Sequence, residues 1–411
     1  MVKDFTFASK GTNMAKEISS YGFKGKRALI RVDFNVPLND GFEVTDDTRI
    51  KAAAPTIKHI LNHGGNVVLM SHLGRPKNGP EEKFSLKHIV SSVERVLGRD
   101  VTFINDCVSS EAFTATENLA PGSIVLLDNL RFYPHEQQGD EGFAENLSRH
   151  GDVYVNDAFG TAHRAHASTT IVAKFFPRDK MFGFLIEKEI SSVSKVLKDG
   201  QKPVTAIVGG AKVSSKISII ENLLDRIDNL VIGGGMVYTF AKAKGGQTGS
   251  SLVEEDHLKT ALEICKKAEE KGVRIMVPED SLVADAFSNE ANTQVCKTTE
   301  IPDGWMGLDI GPEATRHFCT LIEESQTVLW NGPVGVFEME SFEKGTKAVA
   351  DAVVLATERG AFSLIGGGDS VAAINKYGLA SHVNHVSTGG GAMLEYLEGK
   401  ELPGIAAVLS E

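Results

Sequence analysis

No apolar run in this sequence approaches the ~18–20 residues that a helix needs to cross a bilayer. The stretch Met1 to Ser20 has no apolar core of the signal-peptide kind, and the final Leu409-Ser410-Glu411 is not a peroxisomal address. Cysteine is scarce: Cys107, Cys265, Cys296 and Cys319 stand far apart, and no C-x-x-C pair occurs. Neither a zinc site nor a redox pair is signalled, and a few scattered thiols fit a reducing compartment. A cytoplasmic protein without a membrane partner is expected. Positive charge is also short, with 43 basic against 54 acidic residues. A general nucleic-acid binder is basic, so no nucleic-acid partner is expected. Familiar fingerprints are missing too. There is no G-x-x-x-x-G-K-[ST] loop, no G-x-G-x-x-G turn, no G-x-S-x-G elbow and no H-E-x-x-H pair. Without the second of these, an NAD(P)-dependent dehydrogenase loses its main signature.

Glycine, by contrast, is abundant. The chain has 41 in 411 residues, about 10% against a usual ~7%. They cluster in the second half, as the pair Gly209–Gly210 and the triplets Gly233–Gly235, Gly366–Gly368 and Gly389–Gly391. The length suits two or three domains. Short apolar, β-branched runs recur along it: Ala28–Val32, Val67–Met70, Ile124–Leu127, Val153–Val155, Val204–Val208, Leu230–Ile232, Arg274–Val277, Thr327–Trp330, Phe362–Ile365 and Val383–Val386. Continuous apolar strands of this length are buried on both faces, as in parallel sheets. Helical patterns such as Ser214–Leu224, His257–Lys271 and Lys344–Glu358 lie between them. The fold class is therefore α/β: two Rossmann-like domains, each a mostly parallel β-sheet flanked by helices. The expected division is 1–184, an interdomain hinge helix at 185–199, and 200–396. The alternative is that this helix simply ends the first domain.

In open α/β sheets, ligands bind beyond the carboxyl ends of the strands. In the first half these ends read Asp33-Phe34-Asn35, Ser71-His72-Leu73-Gly74-Arg75, Asp128-Asn129-Leu130-Arg131 and, after Asn156-Asp157, His163-Arg164. Arginine forks bind phosphate and carboxylate, and an Asp and an Asn among them can hold a hydroxyl. That set suits a small, strongly anionic, hydroxylated ligand. Arg49 has no strand-end argument of its own. In the second half the ends read Gly209-Gly210-Ala211-Lys212, Gly233-Gly234-Gly235, Asn331-Gly332-Pro333 and Gly366-Gly367-Gly368-Asp369. Bare backbone at a helix N-terminus suits a nucleotide. Lys212 and Lys216, at i and i+4, are expected on one face of the first helical turns, where an anion would offset their conflict with the helix dipole. Asp369 could hold Mg²⁺ carried by the nucleotide phosphates or cap the helix Ser370–Lys376. Glu338 could accept from ribose hydroxyls or be a surface acid.

One half built for a small polyanion and one for a nucleotide point to phosphoryl transfer by positioning and charge neutralisation. A carboxylate acceptor, already ionised at neutral pH, needs no base; an alcohol would require Asp33 to serve. A non-catalytic binding scaffold would be expected to have lost one set of cations, and both are present.

The motifs RVDFNVP (Arg31–Pro37), SHLGRP (Ser71–Pro76), NDAFGTAHRAH (Asn156–His166), GGAKVSSK (Gly209–Lys216), GLDIGP (Gly307–Pro312), WNGPVGVFE (Trp330–Glu338) and HVSTGGGA (His385–Ala392) occur in this order. In them the chain resembles the phosphoglycerate kinases over nearly its whole length. The resemblance implies reversible transfer of the acyl phosphate of 1,3-bisphosphoglycerate to ADP, giving 3-phosphoglycerate and ATP, across an interdomain cleft that closes about a hinge. Another nucleotide-dependent small-molecule phosphotransferase is the alternative. It implies a phosphoglycerate site of Asp33, Asn35, Arg49, His72, Arg75, Arg131 and Arg164, with Arg49 and Lys212 steadying the transferring group. It implies a nucleotide site of Gly210, Ala211, Lys212, Lys216, Gly233, Gly234, Gly307, Leu308, Asn331, Pro333, Glu338, Gly367, Gly368, Asp369 and Ser370, with Mg²⁺ on Asp369. It also implies a monomer whose C-terminal segment, about 397–411, returns to the first domain. Two departures are small: Ser370 stands where Thr is common and Asp128 where Glu is common. About ten extra residues precede the first recognisable strand.

Overall fold

The computed structural model describes residues 16–77 and 79–410, so the N-terminal extension lies outside the described residues. The strands are β1 (Arg27–Val32), β2 (Asn66–Met70), β3 (Thr102–Ile104), β4 (Ile124–Leu127), β5 (Val153–Asp157) and β6 (Lys180–Phe182). They continue with β7 (Val204–Val208), β8 (Asn229–Ile232), β9 (Gln247–Thr248), β10 (Arg274–Met276), β11 (Asp280–Ala284) and β12 (Thr293–Lys297). The last are β13 (Glu300–Ile301), β14 (Met306–Ile310), β15 (Thr327–Asn331), β16 (Phe362–Ile365) and β17 (His385–Val386).

The chain divides into two compact units. One holds the described residues up to Ile190 and those from Glu401 on; the other is Ser191–Lys400. In the first unit six parallel strands pair in the order β3-β4-β2-β1-β5-β6. β2, β4 and β5 are buried at every residue, as a sheet covered on both faces requires. The helix Thr48–Asn62 packs Ile50, Ile57 and Ile60 onto this sheet. Asp157, at the end of β5, accepts hydrogen bonds from the N–H groups of Leu185 (3.0 Å) and Ile186 (3.4 Å) and so starts the helix Phe184–Leu197. Its Oδ2 is buried without a partner, and burial pushes this carboxyl up to about 7. The C-terminal helix Pro403–Leu409 is seated on the loop after β5. Gly404 N–H donates to Ala162 O (2.8 Å), and Asn156 Nδ2 donates to Gly404 O (3.2 Å).

In the second unit six parallel strands pair in the order β10-β8-β7-β15-β16-β17. A three-stranded antiparallel sheet, β12-β11-β14, stands apart from it. Asp280 of β11 caps the helix Pro312–Glu323 by accepting from Glu313 N–H (3.0 Å) and Ala314 N–H (2.8 Å). Trp330 of β15 is fully buried and donates from Nε1 to Gly332 O (2.8 Å), which fixes the turn leaving that strand.

Candidate active site

In each main sheet the two central strands, β1 and β5 or β7 and β15, send the chain in opposite directions, and ligand crevices form at the carboxyl ends of such strands. In the first unit the loops after β4, β2, β1 and β5, four neighbouring strands, are tied to one another. Phe34 N–H donates to Ser71 Oγ (2.8 Å), Leu130 N–H to Ser71 O (3.1 Å), and Asn129 Nδ2 to Leu73 O (2.6 Å). Asn35 Oδ1 accepts from Gly74 N–H (2.8 Å), and Arg131 Nη1 donates to Gly74 O (2.8 Å). Asp33 accepts from Asn35 N–H (3.2 Å) and forms a short ion pair with Arg49 from the first turn of the helix Thr48–Asn62. The residue without a strand-end argument thus reaches the same place from a helix. His72 Nδ1 lies 3.9 Å from Asp33 Oδ1. Arg164 donates to His163 Nε2 (3.1 Å), and both Arg164 and Arg75 are exposed.

The electrostatics show what this cluster lacks. Burial drives His72 well below the usual range, so its imidazole is neutral at pH 7. Burial likewise lowers His166 to about 4 and Arg131 to about 10, with neighbouring arginines adding to both shifts. Burial works against ionisation of Asp33, but the positive surroundings, Arg49 and Arg31 among them, hold its carboxyl below the usual range. Arg131 Nε and His166 Nδ1 are buried without hydrogen-bond partners, His166 Nδ1 lying 3.8 Å from Glu136 Oε1. Cations crowded until they depress one another are relieved by an anion.

The second unit repeats the construction with other residues. The loops after β8, β7, β15 and β16, again four neighbours, interlock. Gly209 N–H donates to Asn331 O (2.9 Å), Gly234 N–H to Val334 O (3.1 Å), and Met236 N–H to Gly210 O (3.2 Å). Fully buried Asn331 accepts from Lys216 Nζ (2.5 Å) and donates from Nδ2 to Gly366 O (3.0 Å). Val336 N–H donates to Leu308 O (2.8 Å), which brings the loop of Pro333 and exposed Glu338 beside β14. Burial lowers Lys216, opposed by the negative charges of Asp369 and Glu398.

Three sequence expectations change here. Lys212 and Lys216 do not share a helical face, because the helix begins only at Ile217, with Lys216 at its N-cap and Lys212 in the preceding turn. Asp369 is not a cap: the helix starts at Gly368, so Asp369 lies exposed in its first turn. The Ser370 hydroxyl is buried and accepts from Gly332 N–H (2.5 Å). The glycines also divide by cause. A Cβ on Gly209 would lie 2.0 Å from Pro333 O, and one on Gly307 would lie 1.9 Å from Tyr238 Oη. Gly332 has φ +106°, and a Cβ on it would lie 2.2 Å from Gly209 O. These serve the packing of loop on loop. A Cβ on Gly368 meets nothing within 4 Å, and one on Gly210 only Lys216 Cε at 3.8 Å. Those two leave open space, and Gly210, at φ +118°, also holds a backbone conformation that favours glycine.

Sequence reasoning missed four supporting residues. Arg31 is 1% exposed, set between apolar neighbours in β1, and a charge placed there was a visible signal. Glu136 and Ser168 are buried beside it. In the second unit Glu254 accepts from both Ser214 N–H (3.0 Å) and Ser214 Oγ (2.6 Å), securing the loop between the two lysines.

Two parallel sheets, one ending in a cation cluster and the other in interlocked glycine loops with lysines, define a nucleotide-dependent phosphotransferase. The comparisons make this particular. The family model for phosphoglycerate kinase matches residues 18–400. A phosphoglycerate kinase of Porphyromonas gingivalis is 54% identical over 415 residues, covering 95% of this chain and 99% of the relative. A cytosolic phosphoglycerate kinase of Nicotiana tabacum is 51% identical, covering 94% and 96%. The solved phosphoglycerate kinase of Coxiella burnetii matches with TM-score 0.88 and 39% identity, over 96% of this chain and 99% of that one. The chain belongs to the phosphoglycerate kinase family and is a transferase of glycolytic phosphotransfer.

Proposed function

We propose that this chain transfers the acyl phosphate of 1,3-bisphosphoglycerate to ADP, reversibly, giving 3-phosphoglycerate and ATP. The observation that carries the reading is the network joining Asp33, Arg49, Asn35, Gly74 and Arg131 at the strand ends of the first unit. It is a cradle with cations in excess of acids, suited to an anionic, hydroxylated ligand. Asn35, His72, Arg75, Arg131 and Arg164 bind phosphoglycerate with it. Arg49 and Lys212 offset the charge of the transferring phosphoryl group. The pairing of Asp33 with Arg49 favours the carboxylate acceptor: an acid held below its usual range is a poor base for an alcohol.

In the second unit, Lys216 and the open backbone at Gly210 and Gly368 take the nucleotide phosphates. Gly233, Gly234, Gly307, Leu308 and Pro333 border the base, and Glu338 meets the ribose. The nucleotide phosphates would carry Mg²⁺. An exposed carboxylate on the first turn of a helix fits that ion, which prefers a few protein oxygens, phosphates and water. Asp369 would hold it, and the ion would neutralise phosphate charge. We place the enzyme in the cytoplasm as a monomer. Purified protein given ADP, 1,3-bisphosphoglycerate and Mg²⁺ is expected to release ATP. Absence of both turnover and 3-phosphoglycerate binding refutes the proposal.

A further inference from the structure

Beneath the cation cluster of the first unit runs a buried chain of polar contacts that the reaction does not itself call on. Glu136, fully buried, accepts from Ser168 through both carboxylate oxygens: from N–H at 2.9 Å and from Oγ at 2.6 Å. Ser168 Oγ in turn accepts from Arg31 Nε (2.8 Å). Arg31 Nη1 donates to Val32 O, and Nη2 lies 3.2 Å from His72 Nδ1. The direction of every bond follows from one fact: a guanidinium donates and never accepts. Ser168 Oγ must therefore accept from Arg31 and spend its own proton on Glu136. His72 Nδ1 must also be an acceptor, which leaves the proton of a neutral ring on Nε2.

We propose that Arg31 is a positioning residue which, held in place by Ser168 and Glu136, fixes His72 as the neutral Nε2–H tautomer. The competing arrangement would put the proton on Nδ1, aimed at Asp33. That arrangement is the weaker one. Asp33 Oδ1 is 3.9 Å away, beyond hydrogen-bond range, and the carboxylate is already engaged by Arg49 and Asn35 N–H. It would also bring a ring N–H against the Arg31 guanidinium. Nε2 has no acceptor among the described residues, so it remains a neutral donor for an oxygen of the ligand. A donor of this kind adds no charge to a cluster already crowded with cations, and its depressed basicity keeps it from becoming one. The use of that donor rests on the assignment of His72 to the phosphoglycerate site; the tautomer does not.

The test is a long-range ¹H–¹⁵N correlation of the imidazoles in the full, ligand-free chain labelled with ¹⁵N-histidine, with His72 identified by the signals lost in His72→Gln. Nδ1 is expected at the shift of an unprotonated nitrogen and Nε2 at that of a protonated one, unchanged between pH 6 and pH 8. A protonated Nδ1, or an imidazolium in that range, overturns the proposal. Ser168→Ala is expected to mix the tautomers. It should also raise KM for 3-phosphoglycerate about three- to tenfold, leaving nucleotide KM in place; tenfold corresponds to ~1.4 kcal/mol. Ser168→Thr, which restores the hydroxyl, should return both readouts toward wild type. An unchanged His72 spectrum in Ser168→Ala removes Ser168 and Glu136 from the relay. If the wild-type tautomer is as stated but 3-phosphoglycerate does not move the His72 signals, the substrate assignment fails and the tautomer stands.

Discussion

Asn331→Ala tests the junction of the nucleotide loops most directly. The side chain is fully buried and bridges two loops, accepting from Lys216 Nζ and donating to Gly366 O. Alanine leaves the Gly366 carbonyl without that donor, and a buried unsatisfied acceptor costs about 1–3 kcal/mol. The void left by the amide adds about 1 kcal/mol. The lost bond to Lys216 counts for less than a buried charged bond, because Lys216 is only partly buried and can regain water. The total is roughly 3 kcal/mol, nearly all within the unit Ser191–Lys400. For a unit of that size this lowers the midpoint by roughly 6–12 °C. Differential scanning calorimetry reads it as a downward shift of the transition in which that unit melts. In the assay, nucleotide KM should rise about tenfold, since a freed Lys216 must be ordered again by the ligand. The KM for 3-phosphoglycerate should stay as it was. A double-mutant cycle with Lys216→Met should give a coupling near 1 kcal/mol for the Lys216–Asn331 bond itself. The reasoning is refuted if Asn331→Ala melts like the wild type and binds nucleotide equally well.

The two kinds of glycine can be separated by one methyl group. Gly209→Ala, with its Cβ 2.0 Å from Pro333 O, should destabilise by about 3 kcal/mol in urea titration. Gly368→Ala, with open space around the Cβ, should leave stability equal or slightly raised and yet weaken nucleotide binding in calorimetric titration. Arg49→Ala removes the charge proposed to offset the transferring group; kcat should fall about 10²–10³-fold with nucleotide affinity unchanged, and weaker nucleotide binding at normal kcat would contradict that role. For Asp157, whose folded carboxyl sits at about 7 against an ordinary 3.8, the fold favours the protonated form. Its contribution to stability is therefore fully present below the ordinary value and is lost as pH rises through the window from 3.8 to about 7, by an amount on the order of 4 kcal/mol. Asp157→Asn should flatten most of that slope in urea midpoints taken across the window, with half-buried Glu187, also raised to about 7, supplying a remainder. An equal slope in wild type and variant would show that Asp157 is ionised at no such cost.

The sheets were readable where burial on both faces leaves an unbroken apolar run, as in Val67–Met70 or Val204–Val208. They were unreadable at the margins of the first sheet, whereas both margins of the second, β10 and β17, were read as Arg274–Val277 and Val383–Val386. Thr102–Ile104 and Lys180–Phe182 form the two edges of the first sheet, where strands are short and one carries Thr and the other Lys. The antiparallel β11, β12 and β14 were missed because β12 is mostly exposed and breaks the apolar rhythm. The candidate site was legible because its residues follow the strands directly, so a local pattern reports a tertiary place. Glu136, Ser168 and Arg31 carry no such local mark. Their relation spans 137 positions between Arg31 and Ser168 and exists only once β1 and the loop after β5 are packed. The glycines were half legible: their location at strand ends could be read, whereas their service to neighbouring loops depends on the close approach of backbones far apart in sequence.

Trp330, sealed in β15 and bonded to the turn at Gly332, gives the molecule a one-sided optical signature. The chain has 2 tryptophans, Trp305 and Trp330, and both belong to the unit Ser191–Lys400. Indole emission therefore watches the unit Ser191–Lys400 alone, while circular dichroism registers the helices of both. Followed side by side during unfolding, the two signals coincide if the units melt together and separate if they do not. The same emission, arising one residue from Asn331, offers a reporter of nucleotide arrival that needs no attached dye and stays silent to events confined to the other unit.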